Sequence, residues 1–346
     1  MLGLKVSLKD AEKWKRRIVS EGLIDKTHFY SKDDKYIYFP ILKKFDISKK
    51  DSIHASFVDK DFPKSNINGT LKDSLSSKLT PDEMAFVKTG HDTIGAIVIM
   101  EIPEDLKHHE KKIADTLLAV NKQVKTVLKK ADIHGGVFRT QKMTYLAGIN
   151  TKETTYKENN VTLKLDVEKV YFSIRLGNER KRIMNLVKPG EEILVMFSGA
   201  APYCIVLAKN TAAKHITGIE INPDGHKYGL ENLKLNKIKN VDLICGDVHH
   251  EIPRLLKADP SLKYERIIMP LPKTADEFLG DALSVARKGT IIHFYDFLPE
   301  SQFDEALKKI DEECKKKGLK HKVLGVFKCG QHAPYIYRIC VDFEIL

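Results

Sequence analysis

Residues 193–202 read Ile193-Leu194-Val195-Met196-Phe197-Ser198-Gly199-Ala200-Ala201-Pro202, and Glu220 stands twenty-one residues beyond Gly199. The unbroken apolar run predicts a strand over 193–197, and the small residues after it predict a strand-to-helix turn. Such a turn lets a ligand approach the backbone and the N-terminus of the next helix. The dinucleotide pattern G-x-G-x-x-G is absent, because Gly199 is the turn's single glycine. A pyrophosphate therefore has no glycine-lined seat, and a nucleoside-type ligand without phosphates fits better.

Outward from this turn, strands are predicted at 216–221, 241–245, 265–269 and 290–294, and helices at 203–209, 223–235, 275–286 and 302–317. Short strands separated by helix-length segments imply a parallel sheet with helices on both faces. Asn222-Pro223-Asp224 reads as a helix start, with Asn222 as N-cap and Pro223 at the first helical position. Two last strands, 323–328 and 335–343, have no helix between them and are predicted to pair antiparallel at the sheet's end. The fold class is α/β, with a Rossmann-like, mostly parallel sheet over 161–346.

Upstream the pattern differs. Residues 1–62 read as a small α+β unit: a strand at 4–6, a helix carrying Ala11, Trp14 and Ile18 on one face, and a strand at 36–39 stopped by Pro40. Ser7 and Asp10 read as the helix's capping box and Gly22 as its end. Its basic face (Lys13, Lys15, Arg16, Arg17) suits either phosphates or bulk solvent. Residues 63–75, with Pro63, Asn66, Asn68 and Gly69, have linker composition. Residues 76–160 read as a middle α+β unit, with a buried strand at 94–100, a long Lys-rich helical stretch at 106–129 and a turn at His134-Gly135-Gly136.

Lys plus Arg is 58 against 47 acids, a net charge of +11 over 346 residues. That excess attracts polyanions across a Debye length of about 8 Å, so nucleic acid or an anionic membrane is a candidate partner. No apolar run approaches the roughly 18 residues of a membrane-spanning helix, and the amino terminus lacks the pattern of a secretory signal. Cys204, Cys245, Cys314, Cys329 and Cys340 contain no C-x-x-C pair, which argues for free thiols in a reducing cytosol. The expectation is a cytoplasmic protein.

Glu220 closes the second strand, and Asp247 follows Gly246 after the third. A carboxylate at the first place can accept hydrogen bonds from both ribose hydroxyls, and one at the second can reach an adenine amino group. Each acid alone is equally a solvated loop residue. Three features at successive strand ends select S-adenosylmethionine as the best-fitting ligand. Met269-Pro270-Leu271-Pro272-Lys273 ends the fourth strand. Its prolines fix φ, so its carbonyls can face a flat substrate, or the segment simply stops the strand. Glu179 stands among Arg175, Arg180 and Arg182, which would hold it ionised. That suits a general base if it is also desolvated, and a surface ion cluster otherwise. His108-His109 and His249-His250 lack partners at metal-ligand spacing, so no metal site is expected.

Residues 167–184, the turn at 197–202, Glu220-Ile221-Asn222-Pro223 and Pro270-Leu271-Pro272-Lys273 resemble the archaeal and eukaryotic type of tRNA (guanine-N1)-methyltransferase, which modifies guanosine 37 beside the anticodon. The resemblance covers nearly the whole chain, including 4–40 and Phe138-Arg139 with Leu146-Ala147-Gly148. It implies a class I methyltransferase domain at 161–346, preceded by a tRNA-recognition domain at 1–62 and an RNA-binding middle domain at 76–160. By the same resemblance, Glu179 accepts the proton of guanine N1 and Arg139 stabilises charge on O6. Tyr171 and Arg180 support the base and the site, and Pro270 and Pro272 belong to the catalytic loop. Phe197, Gly199, Glu220, Ile221, Asp247 and Val248 fall in the pocket for the donor, S-adenosylmethionine. The implied partner is tRNA, met at its anticodon loop and outer corner by a monomer, with no DNA or membrane.

Two positions depart from the family. Val195-Met196-Phe197 replaces an acid that usually ends the first strand, and Pro270 stands where Asn commonly opens the catalytic loop. Two further readings stay open. One is a wybutosine-pathway enzyme using the same donor, for aminocarboxypropyl transfer or for methylation of a tricyclic guanosine. The other is a non-catalytic RNA-binding relative, motivated by Val195.

Overall fold

Four consecutive residues, Ile193, Leu194, Val195 and Met196, are completely buried, which is what an apolar run without alternation requires of a strand covered on both faces. The computed structural model describes residues 1–25, 27–47, 55–63, 70–88, 90–131, 135–271 and 273–346. Pro272, His134 and positions 64–69 of the expected linker lie outside the described residues. The chain divides into two units. The first comprises Met1–Gly90, Glu101–Val127 and Leu146–Gly148, and the second His91–Met100, Leu128–Tyr145 and Ile149–Leu346.

In the first unit, β1 (Leu2–Ser7), α1 (Ala11–Ser20), β2 (Ser31–Lys32), β3 (Tyr36–Pro40) and β4 (Ala55–Asp59) build a sheet ordered β2-β3-β1-β4. Trp14 and Ile18 of α1 share a core with Leu4, Val6 and Phe39. The expected Ser7 cap is not formed. Ser7 is held in strand register opposite Tyr36, its hydroxyl donates to the Asp10 carboxylate at 2.7 Å, and Asp10 itself precedes the helix. Two short helices, α2 (Leu71–Leu75) and α3 (Pro81–Phe86), start at capping boxes on Thr70 and Thr80. The helix α4 (Glu110–Val120) is shorter than the stretch expected over 106–129. Asn121 turns to extended geometry, and the β-branched, buried Thr126 and Val127 open a strand instead.

β5 (His91–Ile94), β6 (Ile97–Met100), β7 (Thr126–Lys130) and β8 (Met143–Gly148) are ordered β5-β6-β7-β8 in a second sheet. The single strand expected at 94–100 is thus a hairpin. Gly95 makes the turn at φ +59°, and a Cβ there would lie 2.1 Å from the Thr155 carbonyl oxygen.

The rest of the second unit begins with β9 (Glu153–Glu158), β10 (Val161–Asp166) and α5 (Gly177–Met184). Alternation follows: β11 (Glu192–Met196), α6 (Pro202–Asn210), β12 (His215–Glu220), α7 (Pro223–Asn236), β13 (Val241–Cys245), α8 (Val248–Ala258), β14 (Tyr264–Met269), α9 (Leu279–Ser284), β15 (Ala286–Pro299) and α10 (Phe303–Lys316). The chain closes with β16 (His321–Ala333) and β17 (Ile336–Ile345). The sheet order is β13-β12-β11-β14-β15-β17-β16. Strands β11 to β15 are parallel, and β17 runs antiparallel to both β15 and β16, as the missing last helix demands. From β11 the chain moves outward through β12 and β13, then returns to β14 on the other side. That reversal opens a crevice outside the carboxyl ends of the strands, where α/β sheets bind ligands. The segments α5 and α8 were not anticipated as helices.

Candidate active site

The turn after β11 is built from left-handed backbone. Phe197, Gly199 and Ala201 have φ of 58°, 57° and 62°. A bulky residue in that region is strained and needs support. The Phe197 ring receives it from Phe278, edge to face at 4.8 Å, and Phe278 in turn stacks on His249 at 4.1 Å. Glu220, at the end of β12, faces the same turn. One carboxylate oxygen accepts the Gly199 N–H at 2.5 Å and the other the Asn222 N–H at 2.8 Å. Each oxygen keeps a further lone pair. Burial pushes this carboxyl above its ordinary range, and the two backbone donors only partly offset it. Gly225 leaves room beside it, since a Cβ there would stand 3.2 Å from Glu220 Cγ. Asp247 caps α8, accepting the His249 N–H at 2.9 Å, with Val248 buried behind it.

Arg139 sits in a turn closed by the bridge between Gly135 and Thr140. Its φ of 51° and the 68° of Gly136 set the bend. Its guanidinium donates to Thr274 Oγ1 at 3.2 Å. Burial lowers its pKa, partly opposed by the nearby Tyr171 and Glu277 side chains. The Tyr171 hydroxyl accepts from Arg338 at 2.7 Å. Pro270 and Leu271 follow β14, with the Leu271 N–H reaching back to the Met269 carbonyl at 2.8 Å.

Most of these groups line one cavity of about 740 Å³, the size of a small-molecule site, walled among the described residues by the second unit. Arg139, Tyr171, Arg180, Pro270, Phe197, Gly199, Glu220, Ile221, Asp247 and Val248 are on its wall. Glu179 is not. Its carboxylate is taken up by Arg182 and Tyr295, whereas Cys329, whose thiol donates to the Phe327 carbonyl at 3.5 Å, does line the cavity.

Glu179 sits in the first turn of α5 and is buried. One oxygen accepts from the Tyr295 hydroxyl at 2.6 Å and Arg182 at 2.7 Å, the other from Arg182 Nε at 2.8 Å. Burial alone would raise its pKa. The Arg182 and Tyr295 hydrogen bonds, the Arg182 charge and the Cys329 thiol outweigh that and hold it below the ordinary range, so it is ionised. Arg180, the next residue, is committed elsewhere. It pairs with Glu158, donates to the Ser173 carbonyl at 3.2 Å and lies between the Phe172 and Tyr203 rings.

Behind Arg182 runs a buried polar ladder that the sequence did not reveal. Arg182 also grips Asp342 at 2.6 and 3.2 Å, and Asp342 meets His293 Nδ1 at 2.6 Å. His293 Nε2 contacts Arg266, which pairs with Glu191. A guanidinium only donates, so His293 Nε2 accepts and Nδ1–H donates to Asp342. The imidazole is therefore neutral, in line with the lowering of its pKa by burial.

Among the described residues, two groups have metal-ligand composition. Ligand atoms of Glu83, His108 and His109 lie within 4.8 Å of one another, a grouping that sequence spacing did not disclose, but the Glu83 carboxylate already caps α3. His293, Cys340 and Asp342 lie beside Arg182 and Arg266, whose charges repel a cation.

The profile described as TRM5/TYW2 methyltransferase domain matches residues 154–324, the TYW2 N-terminal domain 71–151, and the tRNA methyltransferase 5 N-terminal domain 3–49. The tRNA (guanine(37)-N(1))-methyltransferase Trm5b of Pyrococcus abyssi is 37% identical, over 99% of this chain and 99% of its own. The chain belongs to the TRM5/TYW2 methyltransferase family. The crystal structure of that Pyrococcus abyssi protein superposes with a TM-score of 0.73 at 36% identity, covering 100% and 99% of the two chains. The complex of aTrm5 with tRNALeu gives 0.71 at 31% identity, covering all of both chains. Methanocaldococcus jannaschii Trm5 in complex with adenosine gives 0.65 at 29% identity, covering 100% and 99%. The fold is that of a class I methyltransferase, and the expectation of a tRNA methyltransferase is met at the level of the family. Among the described residues, no helix is long and apolar enough to cross a membrane.

Proposed function

We propose that this TRM5/TYW2-family protein transfers the methyl group of S-adenosylmethionine to N1 of guanosine 37 in tRNA, acting as a cytoplasmic monomer that meets the anticodon loop and outer corner. The observation that carries the reading is the convergence of two half-sites in one cavity. Glu220, held by two backbone N–H groups, offers lone pairs to ribose hydroxyls, while Arg139 lines the same cavity and offers a cation to a base. The donor brings a methyl group already activated on its sulfonium. The chain's own task is to align N1 and remove one proton. Asp247 would take the adenine amino group and the Phe197–Phe278 pair would wall the donor side, since Asp247, Phe197 and Phe278 line the cavity. A new N1–carbon bond forms as the carbon–sulfur bond breaks, and the N1 proton passes to the ionised Glu179 carboxylate. Arg139 counters the negative charge that gathers on O6. Glu179 is not itself on the cavity wall, so the side chains between them must shift for that contact to form.

Val195, where the family carries an acid, is wholly buried in the sheet and offers no polar group to the donor. The match of residues 71–151 to the TYW2 N-terminal domain keeps a second reading, aminocarboxypropyl transfer from the same donor. One assay separates them. A tRNA transcript with guanosine at position 37 is incubated with donor and its nucleosides weighed. Gain of one methyl, lost when adenosine replaces guanosine 37, supports the proposal. Gain of an aminocarboxypropyl group, or methylation indifferent to that replacement, overturns it.

A further inference from the structure

Four arginines of the second unit are largely withdrawn from water, and three of them face carboxylates: Arg180 meets Glu158, Arg182 meets Glu179 and Asp342, and Arg266 meets Glu191. Arg338 is the exception. Only 9% exposed, it makes its hydrogen bond to a neutral phenol, Tyr171, at 2.7 Å. Its Nε–H has no acceptor among the described residues. Beneath it is the Phe297 ring, 5.0 Å from the guanidinium carbon, brought there by the antiparallel register that sets Phe297 opposite Arg338. Burying a cation without a counter-ion is costly, and an unmet N–H adds to the cost. A fold retains such a group where a ligand supplies the missing anion.

Arg338 lines the same cavity as Arg139 and Glu220, so the missing partner is an oxyanion of a molecule bound there. Two are available: the carboxylate of the donor's amino-acid end and a phosphodiester of the RNA. The position favours the second. Tyr171 approaches the donor turn with its backbone, its carbonyl 3.7 Å from where a Cβ on Gly199 would sit, and meets Arg338 with its hydroxyl at the other end of the ring. The cation is therefore a tyrosine's length from the donor turn. It also stands in an aromatic wall suited to a nucleotide, because Phe297 stacks on His332 at 3.9 Å. We infer that Arg338 binds a phosphodiester oxygen of the target nucleotide, holding the splayed base in the cavity; this rests on the cavity being the seat of a tRNA nucleotide.

The test uses the full-length protein with Arg338→Gln and Arg338→Lys. tRNA affinity is measured from 50 to 200 mM salt, and donor affinity by calorimetry with S-adenosylmethionine and with methylthioadenosine, which lacks the carboxylate. The inference expects Gln to weaken tRNA binding about tenfold at low salt, to reduce the salt slope by about one, and to leave both donor affinities within twofold. Lys, keeping the charge and losing the fork, should lose about threefold with the slope unchanged. An unchanged tRNA affinity and slope in a folded Gln variant overturns it. So does a loss of S-adenosylmethionine binding with methylthioadenosine untouched, which assigns Arg338 to the donor carboxylate. If Gln does not fold, the Lys variant decides by the same readings, with full tRNA affinity the refuting result. Should the parent protein bind tRNA yet transfer no methyl group, the functional proposal fails while the salt slope still reports on Arg338.

Discussion

Replacing Glu179 with Gln preserves the shape of the side chain and removes its charge. In the parent, three donated hydrogen bonds of 2.6 to 2.8 Å converge on the carboxylate from Tyr295 and Arg182. An amide keeps one accepting oxygen, and its NH2 would point at an Arg182 N–H, donor against donor. Arg182 retains Asp342 at 2.6 Å, so its charge is not orphaned. The stability cost should then lie near the low end of that for a broken buried pair, about 3 kcal/mol, or roughly 4 °C in Tm for a chain of 346 residues. The rate should fall further. Loss of a general base costs about 10²- to 10⁴-fold, roughly 2.7–5.5 kcal/mol in the barrier. The assay is single-turnover methylation at saturating tRNA, with calorimetric donor binding as control. The variant should fold below its lowered Tm, bind donor within about twofold of the parent, and methylate at least a hundredfold more slowly. Equal single-turnover rates would remove Glu179 from the proton transfer.

Other expectations follow from the same geometry. Glu220→Gln should weaken donor binding by about tenfold or more in calorimetry, because hydrogen bonds to a charged group are worth roughly 1.5–3 kcal/mol each; unchanged affinity would move the sugar elsewhere. Gly95→Ala, forced to φ +59° with its Cβ 2.1 Å from a carbonyl oxygen, should lower stability by about 2 kcal/mol or more in chemical denaturation, and a neutral result would contradict the hairpin. The carboxyls of Asp342 and Glu179 both titrate below their unfolded values of 3.8 and 4.5. The stability they add is thus fully present above about pH 4.5 and is lost as pH falls through their folded values. Asp342→Asn should accordingly destabilise the protein at pH 7 and flatten its acid unfolding curve, and an unaltered acid limb would count against the ladder.

The catalytic unit was readable because its signals are local. A continuous apolar run, a small-residue turn and Asn222-Pro223 each declare their structure within a few residues, and Asn222 does accept the Asp224 N–H at 3.0 Å. The upstream errors came from competing local signals. The apolar residues at 94–100 concealed a Gly turn, and the lysines at 106–129 concealed a strand whose β-branched residues sit in the core. Around Glu179 the decisive partners are far off in sequence. Tyr295 reaches it from β15, and Asp342 meets its partner Arg182 because the antiparallel β17 carries the end of the chain back beside β15. No spacing rule finds such residues. The same return places Arg338 opposite Phe297, and it also explains why the arginines flanking Glu179 in sequence play such unlike parts. Arg182 turns inward to Glu179, Arg180 pairs with Glu158, and Arg175 meets Asp92 at 3.0 Å.

The account stands on a sulfonium nucleoside seated across the carboxyl ends of β11, β12 and β13, and a crystal grown with S-adenosylmethionine addresses it directly. Both ribose hydroxyls should lie within hydrogen-bonding distance of Glu220, with the adenine near Asp247 and the methyl group open toward Arg139. Density for the donor elsewhere, or a ribose turned away from Glu220, would contradict the account.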